Sequence, residues 1–242
     1  MNDKKWHVRY LVDRVTLQSL LSDLSHAVAI ERFGPAVSKR IVWRAFSGGQ
    51  RIALTFDDGP QEVYTRQLLE VLSKHSVHAT FFLIGMHLER NQHIAREIVQ
   101  AGHEIANHTF SHPLLFRLSD DEIAAEINKT DALLRNLNGV KPRFLRPPMG
   151  LFSPRVLDMI EQAGYTTVVG DVYPRDSHLP GTARIVSRVL KRVLHGSIII
   201  LHDGGNSEGI DRSQTIAAVD HLIPQLKARG YELTTLSELI PS

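Results

Sequence analysis

A chain of 242 residues is long enough for one large domain or two small ones, and 43% hydrophobic with 22% charged residues excludes a disordered or fibrous polymer. A formal net charge of +2, with no long block of like charge, gives no basis for a nucleic-acid partner. The absence of cysteine excludes disulfides, thiolate metal sites and a cysteine nucleophile, so any transition-metal site must use the 13 histidines and the carboxylates.

Residues 1–45 read as an N-terminal helical extension. Leu17, Leu20, Leu21 and Leu24 fall at i, i+3, i+4 and i+7, one apolar stripe of a helix. That stripe must be covered, by docking on the main domain or by a partner helix, which would make the chain a homodimer. The first apolar run is broken by Asp13 and Arg14, short of the roughly 7–15 apolar residues of a secretory h-region. As written the chain reads as cytoplasmic and without a membrane span. Removal of a leader would make it extracellular or envelope-bound. Phe46-Ser47-Gly48-Gly49-Gln50 reads as a linker into a main domain over 46–242.

From residue 51 onward, short apolar runs alternate with amphipathic stretches. A strand over 51–56 precedes a helix near 63–75. Residues 78–84 are β-rich, 88–101 helical and closed by Gly102, and 104–107 a short strand. Ser119-Asp120-Asp121-Glu122 is a capping box opening a helix to about residue 137. A strand over 143–146 follows, then a helix begun by Ser153-Pro154 and ended by Gly164. The remaining elements are a strand over 166–169, a helix near 182–195, a very apolar strand over 197–201, a helix near 212–229 and a strand over 232–236. About seven βα units argue for a parallel sheet, as a (β/α) barrel or a doubly wound open sheet. No G-x-G-x-x-G follows the first strand, which disfavours a dinucleotide-binding domain.

The chemistry-bearing residues collect just after these strands. Asp57-Asp58 follow the first, His108 and His112 the third, Arg146 ends the fourth, Asp171 and Asp176 follow the fifth, and His202-Asp203 end the sixth. Active sites of barrels and open α/β sheets lie at the carboxyl ends of the strands, so separate stretches converge on one face.

In Thr55-Phe56-Asp57-Asp58-Gly59-Pro60, the adjacent carboxylates suit one metal ligand and one general base, where an Asp-rich turn is the plainer reading. In His108-Thr109-Phe110-Ser111-His112, the i, i+4 histidines could face one metal from a helical turn. Thr109 stands where a zincin would carry its Glu, so a metalloprotease helix is excluded. Two histidines and one carboxylate leave a position for water, a catalytic pattern. In Arg146-Pro147-Pro148-Met149-Gly150, the guanidinium could hold a carboxylate bidentately and a backbone N–H could face an oxyanion. His202, ending an apolar strand, suits a general acid.

These motifs, with Leu201-His202-Asp203, occur in the order found in the polysaccharide deacetylase (NodB homology) family, carbohydrate esterase family 4, which the chain resembles over roughly residues 50–240. The resemblance implies a distorted (β/α) barrel of about seven strands. It implies Asp58, His108 and His112 as ligands of one divalent metal, usually zinc, with cobalt, nickel or manganese as alternatives. It makes Asp57 the general base, His202 the general acid and Asp176 the carboxylate behind it. Arg146 would orient Asp57, Leu201 would line a pocket for the acetyl methyl, and the Met149 N–H would support the oxyanion. The implied activity is deacetylation of a carbohydrate, chiefly of N-acetylglucosamine units in chitin-like chains or peptidoglycan. O-deacetylation of acetylated xylan, hydrolysis of a small amide or imide, and a binding module with a dead site are the alternatives. Two positions depart from the family's pattern: Met149 replaces an aromatic residue, and Ser177-His178 follow Asp176 where a Trp is usual.

Overall fold

The computed structural model describes residues 40–45, 49–205 and 209–241. The leucine stripe of residues 17–24, and the homodimer it suggested, lie outside the described residues. In chain order the first half runs β1 (Ile41–Val42), β2 (Arg51–Gly59), α1 (Tyr64–Lys74), β3 (Thr80–Leu83), α2 (Gly85–Arg90), α3 (Gln92–Gln100), β4 (Glu104–Asn107) and α4 (Asp120–Asn138). The second half runs β5 (Phe144–Leu145), α5 (Pro154–Gln162), β6 (Thr166–Val168), α6 (Thr182–Arg192), β7 (Ile198–His202), α7 (Ser213–Ala228), β8 (Glu232–Thr234) and α8 (Leu236–Leu239).

The strands lie in the order β1-β6-β5-β4-β3-β2-β7, with β8 beside β2, and all the pairings between them are parallel. The ends of this path meet. Arg44 bridges Ser197, the Ala45 N–H donates to the Gly196 carbonyl at 2.9 Å, and Val172 beyond β6 bridges Ile199 of β7. The parallel sheet thus curls into a distorted barrel, the α/β architecture expected.

Strand alternation sorts the core into two layers. Ile52, Leu54 and Phe56 of β2 face outward and pack with Phe81, Ile199 and Leu201 against the helices, among them Leu68 and Leu72 of α1 and Leu222 of α7. Ala53 faces inward, where Phe82, Ala106, Phe144, Val168 and Ile198 fill the barrel and Leu236 and Leu239 of α8 join them. Removing this apolar area from water, at roughly 25 cal/mol per Å², gives the polar site a dry base.

Three elements differ from the sequence reading. Residues 41–42 are an edge strand on β6, not part of a helical extension, since two residues leave no periodicity to read. The helix expected over 88–101 is two helices broken at Asn91, whose side chain turns to donate to the Pro60 carbonyl at 3.0 Å. The last strand stops at Thr234, because Thr235 and Glu238 form a capping box that starts α8.

Candidate active site

Asp57 and Asp58 are neighbours on one strand, and regular alternation would send them to opposite sides. The pairing of β2 with β3 shifts register between Asp57 and Gly59, and Asp58 adopts φ 72°. This bulge re-aims one carboxylate so that both reach the same pocket. Two glycines permit the close packing behind it. A Cβ on Gly204 would meet the Asp58 carbonyl at 2.0 Å, and one on Gly59 would meet Asp203 Oδ2 at 2.3 Å. His87, on α2, hydrogen-bonds the Asp58 carbonyl through Nδ1 at 2.7 Å.

Asp58 Oδ1 lies 3.5 Å from His108 Nε2 and 3.4 Å from His112 Nε2. The three donor atoms all fall within 4.8 Å of one another. The histidines do not sit on a helical turn as expected. Residues 108–112 form a loop in which Thr109 and His112 have φ of 65° and 57°, and this loop brings the two rings to 4.8 Å. His108 Nδ1 is bound to the Arg146 carbonyl at 2.8 Å, which assigns the proton to Nδ1 and leaves the Nε2 lone pair aimed inward. Burial, followed by the neighbouring His108, pushes His112 down to about 3, so its imidazole is neutral at ordinary pH. Burial works against the charge on Asp58, but the surrounding histidines outweigh it and hold the carboxyl well below its usual range. Asp58 Oδ1 is buried and has no hydrogen-bond partner. An orphaned carboxylate oxygen converging with the Nε2 atoms of two imidazoles fits a divalent cation of the zinc type.

Asp57 is 4% exposed and Arg146 2%. Arg146 Nη1 contacts Asp57 Oδ1 at 2.5 Å and donates to Thr55 Oγ1 at 3.0 Å, while its guanidinium stacks 4.0 Å from the Phe82 ring centroid. The grip is one-pronged, not bidentate, because Nη1 alone reaches the carboxylate and Nη2 has no partner. Arg146 stands on the apolar filling of the barrel and presents Asp57 to the pocket.

His202 pairs with Asp57 across the β2–β7 register. Its Nδ1 hydrogen-bonds Asp176 Oδ1 at 2.9 Å, and its backbone N–H donates to Asp176 Oδ2 at 2.9 Å. Burial opposes its charge, but Asp176, with Asp58 and Asp57 behind, raises it to about 9. Thr215, at the start of α7, donates to Asp176 Oδ2 at 2.9 Å. No motif marked Thr215, because a single Thr in a helix carries no spacing signal.

Two other sequence candidates, Leu201 and Asp171, face away from the site. Leu201 is fully buried in the outward, helix-facing core, so Ile200, one residue earlier and on the inward face with His202, is nearer the pocket by strand parity. Asp171 accepts from Ser197 Oγ and the Ile198 N–H, which ties the segment after β6 to the start of β7 rather than to the site. Met149, three residues after Arg146, is 49% exposed and has φ 58°, a left-handed backbone.

The polysaccharide deacetylase family profile matches residues 47–168, which hold Asp57, Asp58, His108, His112 and Arg146 but end before Asp176 and His202. The chain is 38% identical over 210 residues to a peptidoglycan-N-acetylglucosamine deacetylase of Bacillus cereus, covering 83% of this chain and 92% of that one. It is 38% identical over 215 residues to a chitooligosaccharide deacetylase of a Bradyrhizobium species, covering 86% and 98%. A solved peptidoglycan N-acetylglucosamine deacetylase superposes with TM-score 0.80 at 33% identity, covering 84% of this chain and 94% of that one.

Proposed function

The chain belongs to the polysaccharide deacetylase family, and from that premise we propose that it hydrolyses the acetamide of N-acetylglucosamine units in chitin-like or peptidoglycan chains. It is a carbohydrate deacetylase. Asp58, His108 and His112 are its metal ligands, and two imidazoles with one carboxylate suit zinc, with cobalt, nickel or manganese as the alternatives. Bound there, the ion supplies a Lewis acid that polarises the acetyl carbonyl and acidifies water.

The protein's own groups move the protons. Asp57, paired with Arg146, takes the proton of the attacking water. The Met149 N–H serves the developing oxyanion from the chain turn after Arg146. His202, held charged by Asp176, gives its proton to the amine nitrogen as the C–N bond breaks, releasing acetate and the free amine. The observation that carries the amide reading is the His202 Nδ1–Asp176 Oδ1 hydrogen bond at 2.9 Å, which favours a protonated ring. An amine leaves only when protonated, whereas an alkoxide needs less help. The deacetylase domain begins with β1 at Ile41, a reading supported by its bonds to β6. Among the described residues no helix is long and apolar enough to cross a membrane.

Acetate release from chitooligosaccharides, peptidoglycan fragments and acetylated xylan tests this, with Asp57→Asn as control. Release from the N-acetylated substrates that Asp57→Asn reduces by about 100-fold or more is expected, the range for loss of a general base. Release from xylan alone would make the enzyme an esterase.

A further inference from the structure

The loop that carries both histidines is fixed by a residue outside the four motifs. Thr109 and His112 hold positive φ, 65° and 57°, which non-glycine residues keep only where their surroundings impose it. The Thr109 N–H donates to Asn107 Oδ1 at 2.8 Å, and the Thr109 and Phe110 carbonyls each accept from α2, the Gly85 and Met86 N–H groups at 2.9 Å. Two further donors, the N–H groups of Phe110 and Ser111, converge on Glu126 Oε2 at 2.9 and 2.8 Å. Ser111 Oγ donates to Glu126 Oε1 at 2.7 Å. One carboxylate thus takes three hydrogen bonds from the two residues just before His112, and charge-assisted bonds are the stronger kind. Glu126 is itself anchored: α4 buries Ile123, Ile127 and Thr130, and the Asn107 amide donates to the Ile127 carbonyl at 3.1 Å. Lys129, one turn on, lies 3.3 Å from the Phe110 ring centroid and covers the loop.

We propose that Glu126 is a positioning residue for the metal, presetting the 108–112 loop so that His112 already faces Asp58 and His108 when the ion arrives. The proposal rests on the reading of Asp58, His108 and His112 as the ligands. Glu126 acts through Phe110 and Ser111, whose N–H groups it holds.

The test is the zinc affinity of the chelator-stripped full chain, measured by competition with a chromophoric chelator, beside the thermal midpoint of the metal-free protein. Glu126→Ala removes all three acceptor contacts. Glu126→Gln keeps one oxygen for both N–H groups and offers its amide to Ser111 Oγ. Glu126→Ala should weaken zinc binding by about 10- to 100-fold, the usual effect of losing a group that orients a ligand, while Glu126→Gln stays near wild type. A merely structural role would lower the metal-free midpoint and leave the affinity of the folded protein unchanged. Wild-type affinity in folded Glu126→Ala overturns the proposal, as does an equal loss in Glu126→Gln. Should Glu126→Ala not fold, Glu126→Leu, which keeps the stem, is read the same way. If wild type binds no zinc, or His112→Ala binds it as tightly, the ligand reading fails instead and the proposal falls with it.

Discussion

Burial alone would discharge His202; Asp176 outweighs it and raises the group to about 9. The sign of the pH dependence follows. A histidine raised above its unfolded value of about 6.5 stabilises the fold fully below that value and loses the contribution as pH rises through the folded value. As general acid it works while protonated, so kcat should fall on an alkaline limb. Asp176→Asn should shift that limb to lower pH and should reduce the difference in stability between neutral and alkaline solution, read from kcat–pH profiles and thermal midpoints. An unmoved limb would remove His202 as the acid. Asp57, Asp58, His108, His112, Arg146 and His202 were legible because unusual polar types ended apolar strands. Thr215 was not, and Leu201 was named without regard to the face it takes, because the parity of a strand within a continuous apolar run shows only in the structure.

The elements matter here through their irregularities. The bulge that ends β2 turns the second aspartate to the same side as the first, and Gly204 packs against the carbonyl of the second. In Gly204→Ala the new Cβ would fall 2.0 Å from the Asp58 carbonyl, a backbone atom that can give way only if the bulge moves. Overpacking of this kind costs roughly 1–3 kcal/mol. We expect a lower thermal midpoint together with weaker metal binding; a substitution silent in both measurements would mean that Asp58 is not fixed from this side. Regular helices and strands could be read from periodicity and caps, and the Ser119–Glu122 capping box stands where expected. The loop over 108–112 could not. Its i, i+4 histidines mimic a helix, while the hydrogen bonds that impose its left-handed residues come from α2 and α4, distant in sequence.

At the scale of the molecule, the barrel separates two tasks. Its apolar filling, backed by α8, gives Arg146 a dry platform, and its carboxyl end gathers the residues proposed as metal ligands, base and acid from β2, the loop after β4, and β7. A parallel sheet was legible from alternating elements, but its closure through Arg44, Ala45 and Val172 was not, since isolated bridges leave no pattern in a sequence. One ion on Asp58, His108 and His112 is proposed to support deacetylation. The direct measurement is acetate release from a chitooligosaccharide by chelator-stripped protein as zinc is added back. Activity should be absent after stripping, return in proportion to zinc, saturate at one equivalent per chain, and fail to return in His112→Ala. Full activity in the stripped protein, or the same saturation curve in His112→Ala, would contradict it.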